Sequence, residues 1–209
     1  GKAIATTRND GQGSVVESLQ IISQGKKIWE DKLNLSKTQL ELVWGDTNFT
    51  YNGQPQKPTL TAANIKDGDD VTLSVEGDKT NAGTYTATAV LGGTAADRYE
   101  LPPEHTKKFT IQKAQAKVVL SADVQNENHS NQVQLEADVV GVNNEALEGS
   151  ITFKDEDTVI AKDVPVSDGK ASYSWKNSEV GRHHIVAEFL PASDGAGKNY
   201  KNTASQVVN

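Results

Sequence analysis

The chain has 209 residues, 35% of them hydrophobic and 6% aromatic, with a formal charge of −7 and neither cysteine nor methionine. The lack of a Lys/Arg stripe argues against a nucleic-acid partner, whose affinity rests on clustered cations, and the lack of cysteine excludes thiol catalysis and cysteine-based zinc sites. No apolar run approaches the ~20 residues of a membrane-spanning helix, no leader peptide is visible, and a chain without an initiating methionine is expected to be a processed or excised piece of a longer one.

Residues 1–27 read as two strands around the turn sequence "NDGQG". "SVVESLQIIS" at 14–23 is rich in Val and Ile, which favours a strand, although Val15, Leu19 and Ile22 also fit one helical face. Residues 28–36, "IWEDKLNLS", read as a connector. From there on, alternation with a period of two dominates, as in strands that bury one face. Leu40, Leu42 and Trp44 form one inward set and Val71, Leu73 and Val75 the next. "KKFTIQKA" runs straight into "QAKVVLSADV" with no Gly/Ser linker, which predicts a short, stiff junction. Beyond it Val133, Leu135, Ala137 and Val139 share a face, as do Ala171, Tyr173 and Trp175, and Ile185, Ala187 and Phe189.

Turn dipeptides punctuate these runs at Asp10-Gly11, Asn52-Gly53, Asp67-Gly68 and Asp168-Gly169. The last, between "VPVS" and "KASYSW", reads as a tight hairpin. "EALEGS" at 145–150 is the best helical stretch and is too short to stand as one. Many short strands with frequent turns predict an all-β chain, built as tandem β-sandwich modules in an elongated arrangement. The expected organisation is 1–36 as terminal strands plus a connector, 37–114 as one module and 115–209 as another.

Three stretches carry a family resemblance. "WGDTNFTYNGQPQKP", "NAGTYTATAVL" and "YELPPEHTKKFTIQKA" together resemble the MBG-type module of large bacterial surface proteins, over most of residues 43–114. "EGSITFKDEDTVIAKDVPVSDGKASYSW" and "EVGRHHIVAEF" resemble a bacterial immunoglobulin-like domain over 115–209, with "LPASDGAGKNYKNTA" longer and more polar than that pattern. "GKAIATTRNDGQGSVVESLQIIS" is similar to the last two strands of an invasin/intimin-type repeat. The resemblance implies Ig-like folds, a place on the bacterial cell surface or outside the cell, and adhesin-like company. It also implies that Tyr85 after Gly83, and His183 after Gly181, tie a loop to the sandwich in the manner of a tyrosine corner.

Residues with chemical potential read mostly as architecture. Of the four histidines, His105, His129, His183 and His184, the adjacent pair points to opposite faces of a strand and cannot share a metal. Asp67, Asp69 and Asp70, and Asp155, Glu156 and Asp157, have the oxygen chemistry of a Ca²⁺ loop, but the full acidic pattern and its distal Glu are missing. Trp44 and Trp175 fall in phase with buried positions; Trp29, in the connector, is expected to be buried between units, and if exposed would offer a sugar-stacking surface. Tyr99 and Tyr200 lie near loops as further ligand candidates. By family analogy, a Lys–Asn cross-link beside a buried acid is conceivable, with no trio identifiable.

These readings assign no catalytic, cofactor or metal residue. The chain is expected to be a non-catalytic, monomeric spacer in a bacterial surface protein, contacting neighbouring domains of the same protein. The alternatives are a module that grips a host glycan or protein, or an accessory spacer of a secreted carbohydrate-active enzyme.

Overall fold

The computed structural model describes residues 1–9, 14–32, 37–125, 132–176 and 179–209, with the side chains of 8–9, 14–17 and 28–32 left aside. Nearly all of its regular structure is strand, and its helical elements are 3₁₀ turns of three to five residues. Two compact units divide it. One comprises Gly1–Thr47, Lys57–Asp78 and Tyr85–Phe109, the other Asn48–Gln56, Lys79–Thr84 and Thr110–Asn209.

The first unit begins with an antiparallel sheet of β1 (Lys2–Asn9), β2 (Ser14–Ser23) and β3 (Lys26–Lys32), in that spatial order. Val and Ile decide the ambiguous stretch 14–23 in favour of a strand, as β-branched side chains do when a partner strand is available. Residues 28–32 correct the reading of a connector: they continue β3, with Ile21 opposite Trp29 and Gln20 opposite Glu30. The signal overlooked is Gln24-Gly25. Both residues have positive φ, 50° and 76°, the geometry of a two-residue hairpin turn whose twist matches its strands. The Asp10-Gly11 turn and the Trp29 side chain lie outside the described residues.

The next elements are β4 (Thr38–Gln39), β5 (Leu42–Trp44), β6 (Asn48–Thr50), β7 (Leu60–Ala62), β8 (Thr72–Glu76), β9 (Gly83–Gly92), β10 (Tyr99–Glu100) and β11 (Thr106–Gln112). Within the first unit β5 pairs antiparallel with β7, β8 antiparallel with β9, and β4 parallel with β10. Its interior holds Leu40, Val75, Ala87, Ala89, Tyr99 and Phe109, all buried. Small alanines on β9 let the surrounding chain close over them. Leu42 and Trp44 are only half-buried, because Leu40 lies outside the strand while they sit within β5, one of a two-stranded pair.

The second unit holds β6 alongside the end of β11 in parallel, then β12 (Ala114–Gln115), β13 (Lys117–Gln125), β14 (Gln132–Val140), β15 (Gly149–Asp155), β16 (Thr158–Val166), β17 (Lys170–Lys176), β18 (Ile185–Pro191), β19 (Tyr200–Lys201) and β20 (Thr203–Ala204). One sheet has the order β13–β14–β17 and a second β16–β15–β18–β20, while β12 pairs parallel with β19. The alternation seen in the sequence supplies the core. Val133, Leu135, Ala137 and Val139 come from the first sheet, Ile151, Phe153, Ala187 and Phe189 from the second, all of them buried. Burying each large side chain contributes roughly 1.5–3 kcal/mol, which is where the stability of a sandwich this size must originate.

Two expectations are corrected here. Tyr173 is in phase with Ala171 but 37% exposed, because β17 is the outer strand of its sheet and leaves one flank of the ring uncovered. Asp168-Gly169 does form the two-residue turn, with φ of 50° and 74° and reciprocal backbone bonds of 2.9 Å between Ser167 and Lys170. The strands it joins then part, β16 to one sheet and β17 to the other, so the turn is a corner rather than the tip of a hairpin. Residues 145–150 form no helix; a 3₁₀ turn at Val142–Asn144 precedes them, with Asn143 and Asn144 in the left-handed region that asparagine tolerates.

Candidate functional site

The groups with chemical potential resolve into three side-chain clamps. In the first unit, Asp69 sits at the Asp67-Gly68 turn, whose Gly68 has φ 87°. Its carboxylate accepts from Arg98 Nη2 at 2.9 Å and from the Tyr99 hydroxyl at 2.5 Å, and that hydroxyl in turn accepts the Lys66 N–H at 3.1 Å. Asp70 is committed as well: its Oδ2 accepts the Thr94 N–H at 3.0 Å and the Thr94 hydroxyl at 2.8 Å, bonds that hold its pKa below the usual carboxylate range. Asp69 and Asp70 thus hold neighbouring segments of their own chain, as expected of acids at a surface turn. Tyr99 is no ligand candidate but a buried corner, 4% exposed.

The second clamp lies in the second unit, where β15 ends. Asp155 Oδ2 is 2.6 Å from His183 Nδ1, and Asp155 Oδ1 accepts the His184 N–H at 2.8 Å. His183 Nε2 lies 2.8 Å from the Glu179 carbonyl oxygen, and the ring meets Trp175 edge-on at 5.0 Å. The His183 pKa is raised, first by the Glu179 bond and then by Asp155. Burial works to raise that of Asp155, but the bonds from His183 and the His184 N–H outweigh it and leave it lowered. The His184 ring turns instead to Asn209 Oδ1. The two histidines do part company, but in the loop before β18 and not on opposite faces of a strand, and the contacts of His183 tie that loop to the end of β15.

In the third clamp Tyr200, 1% exposed, accepts the Val142 N–H at 2.8 Å and donates to Glu145 Oε2 at 2.9 Å. Burial, more than the neighbouring Glu145, drives its phenol pKa far up, so it stays a neutral donor. Gly141 makes room for it: a Cβ there would lie 2.3 Å from the hydroxyl. Sequence reasoning missed Glu145 and the Glu179 carbonyl. Neither carries a local motif, since Glu145 is 55 residues from Tyr200 along the chain. Tyr85, the remaining expected corner, packs its ring on Phe109 at 5.7 Å.

Concavities on the second unit are shallow. One of about 470 Å³ between β13 and residues 203–208 is walled by side chains such as Val118, Leu120, Thr203 and Val208, and by no acid or histidine. Another of about 390 Å³ has Asp163 and Glu188 on its wall, with Glu188 held by Lys154 at 2.9 Å. Among the described residues no three His, Asp or Glu side chains are placed to hold a metal ion. His129 lies outside them, and His105 turns its Nδ1 to the Pro102 carbonyl at 3.0 Å.

This geometry coincides with a family match. Residues 119–209 match the bacterial Ig-like domain (group 3). The matched region includes the His183 and Tyr200 clamps and, but for Lys117 and Val118 at the start of β13, the sheets β13–β14–β17 and β16–β15–β18–β20. No curated protein matches the chain. Among solved structures, the chain is similar to the Yersinia pseudotuberculosis adhesin InvE at 13% identity, over 81% of this chain and 58% of that one, with a TM-score of 0.31. The chain thus spans less than two thirds of that adhesin's length in the solved structure.

Proposed function

We propose that this chain is a non-catalytic structural segment of a bacterial extracellular surface protein, with residues 37–114 an MBG-type module leading into the Ig-like module of 115–209. The observation that carries this reading is the Ig-like match over 119–209. Asp69, Asp70, Asp155 and His183 each have polar atoms committed to neighbours of the same chain. A general acid or base needs an atom free to meet a substrate proton, and these atoms are already engaged. On this reading the partners are the adjoining modules of the same protein, and the role is to hold another domain away from the cell.

Antibody raised against the chain and applied to intact cells of its source bacterium tests the proposal. Labelling without permeabilisation, together with loss of reach by a distal domain when this segment is deleted, is the expected result. Labelling that requires permeabilised cells sinks the surface assignment, and saturable binding on a glycan array sinks the purely structural one.

A further inference from the structure

The unit built on residues 110–209 also contains 48–56 and 79–84, and three side chains show what holds those two earlier segments. Asn199 is 2% exposed and uses both ends of its carboxamide on one turn: Oδ1 accepts the Ala82 N–H at 2.8 Å, and Nδ2 donates to Asn81 Oδ1 at 3.0 Å. The next residue, Tyr200, meets the Tyr51 ring edge-on with centroids 5.6 Å apart. Asn143 Nδ2 donates to the Asn52 carbonyl at 3.2 Å. Gly53 completes the fit: its φ is 78°, and a Cβ there would stand 3.1 Å from Asn143 Nδ2 and 3.9 Å from Val142 Cγ2.

A buried carboxamide is tolerated only where its donors and acceptor are met. Without the Asn81-Ala82 turn, Asn199 would lose both of the partners named above. The pairing also reads its occupant, since it requires an acceptor side chain at one position and a backbone N–H aimed at Asn199 at the next. The Asn-Gly bend at 52–53 satisfies a different demand, a positive φ at a point where a Cβ would crowd Asn143 Nδ2.

We infer that Asn143, Asn199 and Tyr200 form a socket filled by the Asn52-Gly53 and Asn81-Ala82 bends of this same chain. Residues 48–56 and 79–84 therefore fold and unfold with 110–209 and not with the segments that flank them in sequence. The inference stands apart from the functional proposal, and a chain inside the cell would obey it equally.

Amide hydrogen exchange on the full chain, read by NMR, tests it. The Ala82 amide lies outside the two-strand ladders of the Ig-like region, yet it should exchange at least about 100-fold more slowly than in a free peptide. Leu135→Ala opens a cavity in the second unit and should speed Ala82 exchange at least about 10-fold; Val75→Ala, in the first unit, should leave it within about twofold. Should Leu135→Ala unfold its unit outright, Ala82 must lose protection while the Ser74 amide, opposite Val90 in the β8–β9 ladder, keeps it, and the milder Val139→Ala gives the graded version. Asn199→Ala should release Ala82 with the Ser74 amide unchanged. Free-peptide exchange at Ala82 in the unaltered chain overturns the inference. So does an Ala82 response to Val75→Ala as large as that to Leu135→Ala.

Discussion

His183 binds Asp155 through Nδ1 at 2.6 Å while its Nε2 faces the Glu179 carbonyl at 2.8 Å. Both partners can only accept, so both ring nitrogens must carry a proton for the two bonds to coexist.

Stability should therefore depend on pH in a defined direction. A raised histidine pKa contributes fully below the unfolded value of about 6.5 and is lost as pH rises through the folded value. The lowered Asp155 pKa contributes above the unfolded value of about 4 and is lost as pH falls through the folded one. The clamp is thus complete between those two limits. Urea midpoints measured across pH should fall on the alkaline side in the native chain, and His183→Gln should flatten that fall. An unchanged alkaline slope in the variant would refute the assignment.

Tyr200→Phe removes one hydroxyl from a site 1% exposed and strands the Val142 N–H together with the Glu145 carboxylate. A cost of about 1–3 kcal/mol is expected in chemical denaturation. Tyr173→Phe, on the exposed outer strand, should stay within about 0.5 kcal/mol. Equal effects from the two would show that the buried corner contributes nothing special.

Two glycines separate backbone strain from crowding. Gly25 has φ 76°, and a Cβ there would meet nothing within 4 Å, so Gly25→Ala should cost about 1–2 kcal/mol from φ alone. Gly93 has φ 97°, and a Cβ there would lie 2.3 Å from the Asp70 carbonyl oxygen. Gly93→Ala should be clearly the more destabilising in thermal melts, since neither backbone can give way cheaply.

Phe153 is fully buried between the sheets of the second unit, and Phe153→Ala should cost about 3–5 kcal/mol. Val180 is 91% exposed, and Val180→Ser should lie within about 0.5 kcal/mol of the parent. Denaturant titrations of both variants would check the placement of the core.

The strands were legible where alternation ran long. Val133 to Val139 and Ile185 to Phe189 bury every second residue as their spacing predicts, because each lies in an inner strand flanked on both sides. Pattern alone failed where a flank was missing, as at Tyr173, and where a turn lacked the familiar Asn-Gly or Asp-Gly pair, as at Gln24-Gly25. The His183 corner was visible from its Gly181 neighbour. Its carboxylate partner, 28 residues away, and the Glu145 partner of Tyr200 were not, since contacts across a fold leave no mark on local sequence.

The pairing of β12 with β19 has a mechanical consequence. Ala114 and Gln115 run parallel to Tyr200 and Lys201, near the two ends of the 110–209 segment. When tension pulls the start of one parallel strand against the finish of the other, the hydrogen bonds between them are loaded together, in shear, and none can be peeled away first. The same parallel arrangement joins β4 to β10 in the first unit, so each unit carries a short shear lock.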